Sequence, residues 1–209
     1  MLKIGKKVIT QQQLDLLLEL TNLKDRYTVS HSEHVMYMSA LIYDNLDNDL
    51  KRKVNKKKLM KAALFHDVGK IYLSDRILLK AGKLTNEEIQ EMKLHTIYGQ
   101  KILLGTRNND LAIYAKTHHE RQDGKGYWSL NENQMPIESK IIAIADSYSA
   151  MTTKRPYKEP MAINEAVAEI EKCSGSQFDP IVVKAFLKID ILKLIEARDI
   201  LAEQYVLNE

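Results

Sequence analysis

Leu64-Phe65-His66-Asp67-Val68-Gly69-Lys70 closes an apolar helical run with an imidazole, a carboxylate, a glycine and a lysine in close succession. Outward from that stretch the same chemistry recurs. His118 and His119 are adjacent in KTHHERQDGKGYW, His31 lies upstream, His95 falls between the two pairs, and Asp146 follows in IAIADSY. Imidazole and carboxylate together suit a divalent transition metal, and one carboxylate can bridge two ions. Scattered histidines are usually surface or core residues. Two adjacent pairs, HD and HH, with two further histidines at helix-compatible positions, point instead to a metal site.

A two-metal hydrolytic site needs about six or seven protein ligands, a bridging oxygen donor and open positions for water and substrate. Asp67 is the natural bridge, since each of its oxygens can bind one ion. His66, His31 and Asp146 would complete one ion's set, and His95, His118 and His119 the other's. Neighbouring residues on an α-helix lie about 100° apart, so His118-His119 is expected at a helix end. The ligands come from separate segments, and only an assembled helical bundle can bring them together.

The rest of the chain reads as all-α. Gly and Pro number only 8 and 4, and alternating strand-type runs are nearly absent. Thr10 is placed to cap a helix carrying Leu14, Leu17, Leu18 and Leu20. A second helix is expected from near Thr28 or Ser30, with Val35, Met38 and Ile42 on the face that also carries His31. A third spans Lys57 to His66 and stops near Gly69. Thr85 to Glu88 reads as a capping box opening a helix with Ile89, Met92, Ile97 and Leu103, and His95 points inward from it. A short helix runs from about Leu111 to His119, and 120–135 reads as a loop. Pro136 starts a helix at the position proline favours, bringing Asp146 along. Further helices are expected near 160–173, 179–189 and 190–205. Residues 1–26 read as a helical extension and 27–209 as the metal-binding domain with its C-terminal helices. The leucine face of the extension is an added core layer or a homodimer contact.

At 209 residues the chain suffices for one large domain, and 44% hydrophobic with 28% charged residues is ordinary for a globular protein. A net charge of +3 gives no general affinity for polyanions, so neither DNA nor RNA is expected as a partner. The basic run KRKVNKKK at 51–58 reads as a solvated loop; it lacks interleaved aromatics for base stacking, and Asp44, Asp47 and Asp49 upstream weaken its field. A single cysteine, Cys173, fits a reducing compartment and is read as a small buried apolar residue. No run is apolar enough to cross a bilayer, and MLKIGKKVIT lacks the core of a secretory signal. The expectation is a cytoplasmic chain without membrane contact.

HDVGK resembles the HD signature of the HD-domain metal-dependent phosphohydrolases, and HHERQDGKGYW resembles the HHE-x-x-DG-x-GYP signature of their HD-GYP subgroup. The resemblance continues through HS-x-x-V at His31, K-x-G-x-L-T-x-E-E at Lys80, H-x-x-x-G at His95, D-x-Y-x-A-M-T at Asp146, RPYK at Arg155 and FDP at Phe178. It covers roughly 27–188 in the family's order. It implies an all-α HD-domain bundle with its metal centre in the core. Its implied activity is hydrolysis of cyclic di-GMP, to pGpG and often on to GMP, through a hydroxide bridging two divalent ions. Iron or manganese is implied first, with nickel or zinc also compatible. A sensory or signalling protein, or a second copy of the chain, would be its partner.

The resemblance assigns Lys70 to phosphoryl charge stabilisation beside Asp67. It assigns Arg155 and Lys158 to substrate phosphates, a contact for which arginine's fork is suited. Asp123, Gly124, Gly126, Tyr127 and Trp128 would shape the loop over the substrate, Asp123 either by contact or only by organising the turn. Three positions depart from the pattern. Trp128 stands where the family has proline, and could present a face for a base instead of stiffening the loop. Ser149 replaces a second aspartate. Tyr27 replaces the glutamate of trinuclear members, so two ions are expected. His34 is near enough to His31 to share an ion, but a core-edge role is the simpler reading; Tyr114, Tyr148 and Tyr157 read as packing residues. Two other readings stay open: a weakly active or non-catalytic cyclic-dinucleotide-binding module, and an HD-fold phosphohydrolase or di-iron enzyme with another substrate.

Overall fold

Threonine and aspartate caps decide where the helices begin. In the computed structural model, which describes residues 9–106, 109–153 and 159–206, α1 (Gln11–Lys24) starts at a capping box. Thr10 Oγ1 accepts from Gln13 N–H, and the Gln13 side chain accepts from Thr10 N–H. α2 (Arg26–Asp44) begins earlier than Thr28 or Ser30, because Asp25 is the stronger cap. Its carboxylate accepts the Tyr27 amide at 3.0 Å and the Thr28 hydroxyl at 2.6 Å. After a short α3 (Asn48–Lys51), α4 (Lys56–Phe65) ends at His66. The chain does not stop at Gly69 but tightens into a 3₁₀ helix, Val68–Tyr72, and the single turn α5 (Asp75–Leu78) follows.

The capping box at Thr85 and Glu88 opens α6 (Asn86–Leu104), and α7 (Asn109–Thr117) ends directly before His118-His119. α8 (Ile137–Thr152) follows the loop. Pro136 is its N-cap, one residue before the first-turn position expected, with φ −58° and ψ 149°. The loop before α8 carries a 3₁₀ turn, Glu132–Gln134, and α9 (Ile163–Lys172), α10 (Pro180–Phe186) and α11 (Ile191–Val206) complete the described helices. Among the described residues there is no named strand; one isolated bridge joins Ser174 and Phe178.

α2 is the central element, packed against α4 and α8 and flanked by α1, α10 and α11. Its Val35, Met38 and Ile42 are fully buried, each contributing about 1.5–3 kcal/mol by burial. His31 lies on the same face and is buried with them. α1 adds Leu14 to the core and leaves Leu16, Leu20 and Leu23 exposed. Its last turn reaches the 3₁₀ helix, where Lys24 Nζ donates to the carbonyls of Ile71 and Leu73. The basic run is tied down locally: Lys56 pairs with Asp44 and Lys58 with Asp110, each at 2.6 Å, and Arg52 pairs with Asp49. Cys173 is half-buried at the end of α9, its thiol directed at Glu169, and not in the apolar interior expected for it.

The 3₁₀ helix lies almost directly on α6. A Cβ built on Gly69 would fall inside the His95 carbonyl oxygen and the Gly99 amide nitrogen, both backbone atoms. Only glycine permits this approach, which sets Asp67 against His95. Gly69→Ala is therefore expected to destabilise the protein by about 1–3 kcal/mol, the usual scale of overpacking. A denaturant midpoint equal to that of the unmodified chain would show that the two backbones separate freely.

Candidate metal centre

Helix ends aim the ligands inward. His66 follows the last turn of α4, His95 sits in the middle of α6, and His118 follows the last turn of α7. In each, Nδ1 lies 2.7 Å from a carbonyl three residues earlier: Ala63, Met92 and Ala115. A carbonyl only accepts, so Nδ1 carries the proton and Nε2 keeps its lone pair. All three Nε2 atoms are thereby directed at Asp67. His66 Nε2 is 3.3 Å from Asp67 Oδ2, His95 Nε2 is 3.1 Å from Oδ1, and His118 Nε2 is 3.9 Å from Oδ1. His31, from α2, places Nε2 2.9 Å from Asp146 Oδ1, and His119 places Nδ1 3.8 Å from Asp146 Oδ2.

Two groups of these residues have ligand atoms within 4.8 Å of one another: Asp67, His95, His118 and His119, and His31, His66 and Asp67. Asp67 belongs to both. Asp146 groups with His66 and His118, so it stands between the sets and not in one alone. The donors suit a divalent metal on a further observation. Among the described residues His66 Nε2 and Asp67 Oδ1 are buried side-chain atoms without a hydrogen-bond partner, which is costly for polar atoms unless something binds them. The cluster is able to hold metal. His34 joins none of the described groups. Tyr27 lies flat against His31, ring centroids 5.6 Å apart and planes 9° apart, where an aliphatic carboxylate could not stack.

The electrostatics of the two carboxylates and of His31 and His118 favour the binding forms. Burial would raise Asp67, but the Lys70 ammonium 2.6 Å away and His66 hold its carboxyl well below the usual range. Burial opposes Asp146 likewise, and the hydrogen bond and charge of His31 hold it low. Burial lowers His31 and His118, and takes His34 to about 3. Burial also presses on His66, yet the neighbouring Asp67 holds it above its ordinary value. Neutral imidazole and ionised carboxylate are what a metal needs.

The same shifts give stability a sign. Unfolded histidine titrates near about 6.5, so His31, His34 and His118 bind protons in the unfolded chain at pH values where the folded chain excludes them. Their contribution is present above about pH 6.5 and is lost as pH falls toward the lowered folded values. His66 runs the other way, but His119, which burial takes to about 3, adds to the three. Metal-free protein is expected to melt at a lower temperature near pH 5 than near pH 7. A melting temperature that rises on acidification would contradict neutral burial of these rings.

Lys70 lies at the rim with His119 and Asp146, each partly exposed. Tyr127 covers the His119 side of the opening, with ring centroids 4.5 Å apart. Lys93, which the sequence reading passed over, sets its ammonium 5.3 Å from the Tyr127 ring centre. Its only signal is a basic residue two positions before His95. Asp123 is engaged within the loop, accepting from Arg121 at 2.8 and 3.0 Å and from the Lys125 amide at 3.1 Å, and Gly124 takes a positive φ of 71°. Arg155 and Lys158, with Tyr157, lie outside the described residues. Tyr114 and Tyr148 are buried packing residues, as expected.

Glu120 was also passed over, although it lies inside the HHE motif. It is 4% exposed and clamps the loop: Oε1 accepts the Trp128 amide at 2.8 Å and Oε2 the Leu130 amide at 2.9 Å. Gly126 must be glycine, because a Cβ there would enter the Glu120 backbone. Trp128 also donates its indole N–H to Thr96 on α6 at 2.9 Å. Proline at this position would lack the amide that Glu120 uses. Trp128→Pro is expected to lower stability by about 1–3 kcal/mol, the cost of an unsatisfied buried acceptor. A variant melting at or above the parent temperature would remove this account of the tryptophan.

A family description of the HD domain matches residues 15–182. The chain belongs to the HD-domain family. It is 42% identical over 181 residues to a protein of Thermotoga maritima named cyclic di-GMP phosphodiesterase, covering 85% of this chain and 48% of that one. It is 34% identical over 182 residues to a cyclic di-GMP phosphodiesterase response regulator of Xanthomonas campestris, covering 85% and 47%. The chain thus spans about half the length of these curated relatives. The fold matches a solved HD-GYP-type protein of Bdellovibrio bacteriovorus with a TM-score of 0.61 at 18% identity, over 79% of this chain and 52% of that one. Among the described residues no helix is long and apolar enough to cross a membrane.

Proposed function

We propose that the chain is a metal-dependent phosphodiesterase that hydrolyses cyclic di-GMP to pGpG, GMP or both. The observation that carries the reading is the place of Asp67, shared by two groups of potential ligands and in contact with Lys70. His31, His66 and Asp67 would hold one ion and Asp67, His95, His118 and His119 the other, with Asp146 between the two, and iron or manganese before nickel or zinc. Bound there, two divalent ions supply an activated water and neutralise phosphoryl charge.

The protein's own groups do the rest. Lys70 sits at the rim and donates to the phosphoryl oxygen on which charge develops. Tyr127 walls the His119 side of the entrance and offers a ring face to a base; Trp128, partly exposed and next in the same loop, is assigned to the base on its sequence position, and Glu120 holds that loop still. Arg155 and Lys158 are assigned to the second phosphate on their sequence motif alone. Residues 1–26 remain an extension in this reading, with α1 braced against the segment that carries Lys70.

The test is anaerobic loading of the metal-free protein with iron or manganese, followed by incubation with cyclic di-GMP, 3′3′-cGAMP and cyclic di-AMP. Metal-dependent cleavage of cyclic di-GMP, abolished by a chelator, is the expected result. Preference for another dinucleotide would reassign the substrate. Binding without turnover by the fully loaded protein would favour the signalling-module reading.

A further inference from the structure

Ser149 joins two histidines. Its Oγ is 2.8 Å from His31 Nδ1 and 2.9 Å from His34 Nδ1, and all three residues are buried. His34 Nε2 has no hydrogen-bond partner among the described residues. The cluster adjoins the metal centre, because His31 reaches Asp146 through its other nitrogen. His34 itself has no part in the proposed chemistry.

A hydroxyl has one proton and can donate to only one of the two rings. With both rings neutral, the other ring must carry its proton on Nδ1 and donate to Oγ. Two arrangements follow. In the first, His34 Nδ1–H donates to Ser149, the Ser149 hydroxyl donates to His31 Nδ1, and His31 Nε2–H donates to Asp146. In the second, His31 Nδ1–H donates to Ser149, the hydroxyl donates to His34 Nδ1, and the His34 proton resides on Nε2. Only the second leaves His31 Nε2 with a free lone pair, the form a metal requires. Each ring holds one proton in both arrangements, so the exchange is a reversal of three polar groups with no net proton gain.

We propose that Ser149 and His34 form a positioning relay that sets the tautomer of His31, and that loading an ion at His31 reverses it. The proposal rests on the metal-site reading above. The relay works against loading. The second arrangement leaves a buried His34 N–H without an acceptor, whereas the first leaves only a bare ring nitrogen. An aspartate at 149 would accept from both rings at once and hold His31 in the ligand form. The ion at His31 is therefore the more weakly held of the two, because the hydroxyl of Ser149 can accept from only one ring where an aspartate would accept from both.

The probe is zinc alone, titrated into metal-free protein, with ¹⁵N-correlated imidazole spectra recorded before and after loading. The wild-type chain should bind two ions with unequal affinity, and the His34 proton should move from Nδ1 to Nε2 on loading. Ser149→Asp should tighten the weaker ion, and Ser149→Ala should loosen it, each by about 10–100-fold, the usual reach of a group behind a metal ligand. His34 in the same tautomer before and after loading overturns the relay, and this needs no variant. So does an unchanged weaker affinity in a folded Ser149→Asp protein. Wild-type protein that takes up no zinc would overturn the metal-site reading and the relay with it, whereas normal uptake with a fixed His34 tautomer would overturn the relay alone.

Discussion

Asp67→Ala is expected to lose both metal ions together and all measurable hydrolysis of cyclic di-GMP. The carboxylate is 2% exposed and is the member common to both ligand groups. His66 and His95 approach its two oxygens from opposite sides, at 3.3 and 3.1 Å. Alanine leaves each remaining set one oxygen donor short and removes the charge that offsets bound cations. Replacing His95 reaches only one set and should weaken one ion. Elemental analysis distinguishes the cases: two tightly bound ions in Asp67→Ala would end its assignment as the shared ligand.

Lys70→Ala is expected to retain its metal and lose turnover by about 10²–10³, the range for removing one charge-stabilising donor at a reacting centre. That corresponds to roughly 3–4 kcal/mol of transition-state stabilisation. The ammonium is 2.6 Å from Asp67 Oδ2 at the open edge of the site. It can therefore meet a phosphoryl oxygen without displacing a buried ligand. Metal content should be unaffected, because bound cations supply the charge that otherwise holds Asp67 ionised. Wild-type turnover in the variant would exclude Lys70 from the chemistry. Loss of metal along with activity would make it a support of Asp67 instead.

The parts of this design that were legible in the chain are those written in local chemistry. Thr10 and Thr85 announce their helices because a hydroxyl three residues before a glutamine or glutamate has a local partner. The histidine pairs announce the metal centre because few other roles need them adjacent. The structure brings His31, His66, Asp67, His95, His118, His119 and Asp146 into one cluster. What stayed hidden depends on a choice between neighbouring caps or on partners further away. Asp25, not Thr28, caps α2, because Thr28 spends its hydroxyl on the cap itself. The 3₁₀ helix at Val68–Tyr72 is set by a backbone contact with α6, for which Gly69 gives only permission. Glu120 acquires its meaning from amides eight and ten residues onward, and Ser149 from two rings on another helix.

The backbone carbonyls of Ala63, Met92 and Ala115 have a consequence for how such a protein acquires its metal. Each fixes a ring using only atoms of its own helical turn, so the rings are oriented by folding and not by the ion. These three rings are set before an ion arrives, whereas His31 is set only on loading. Ions bound there would exchange without unravelling the chain, so the ion found in a given preparation would record supply during growth and purification. A catalytic rate for such a protein has meaning only when quoted with that history.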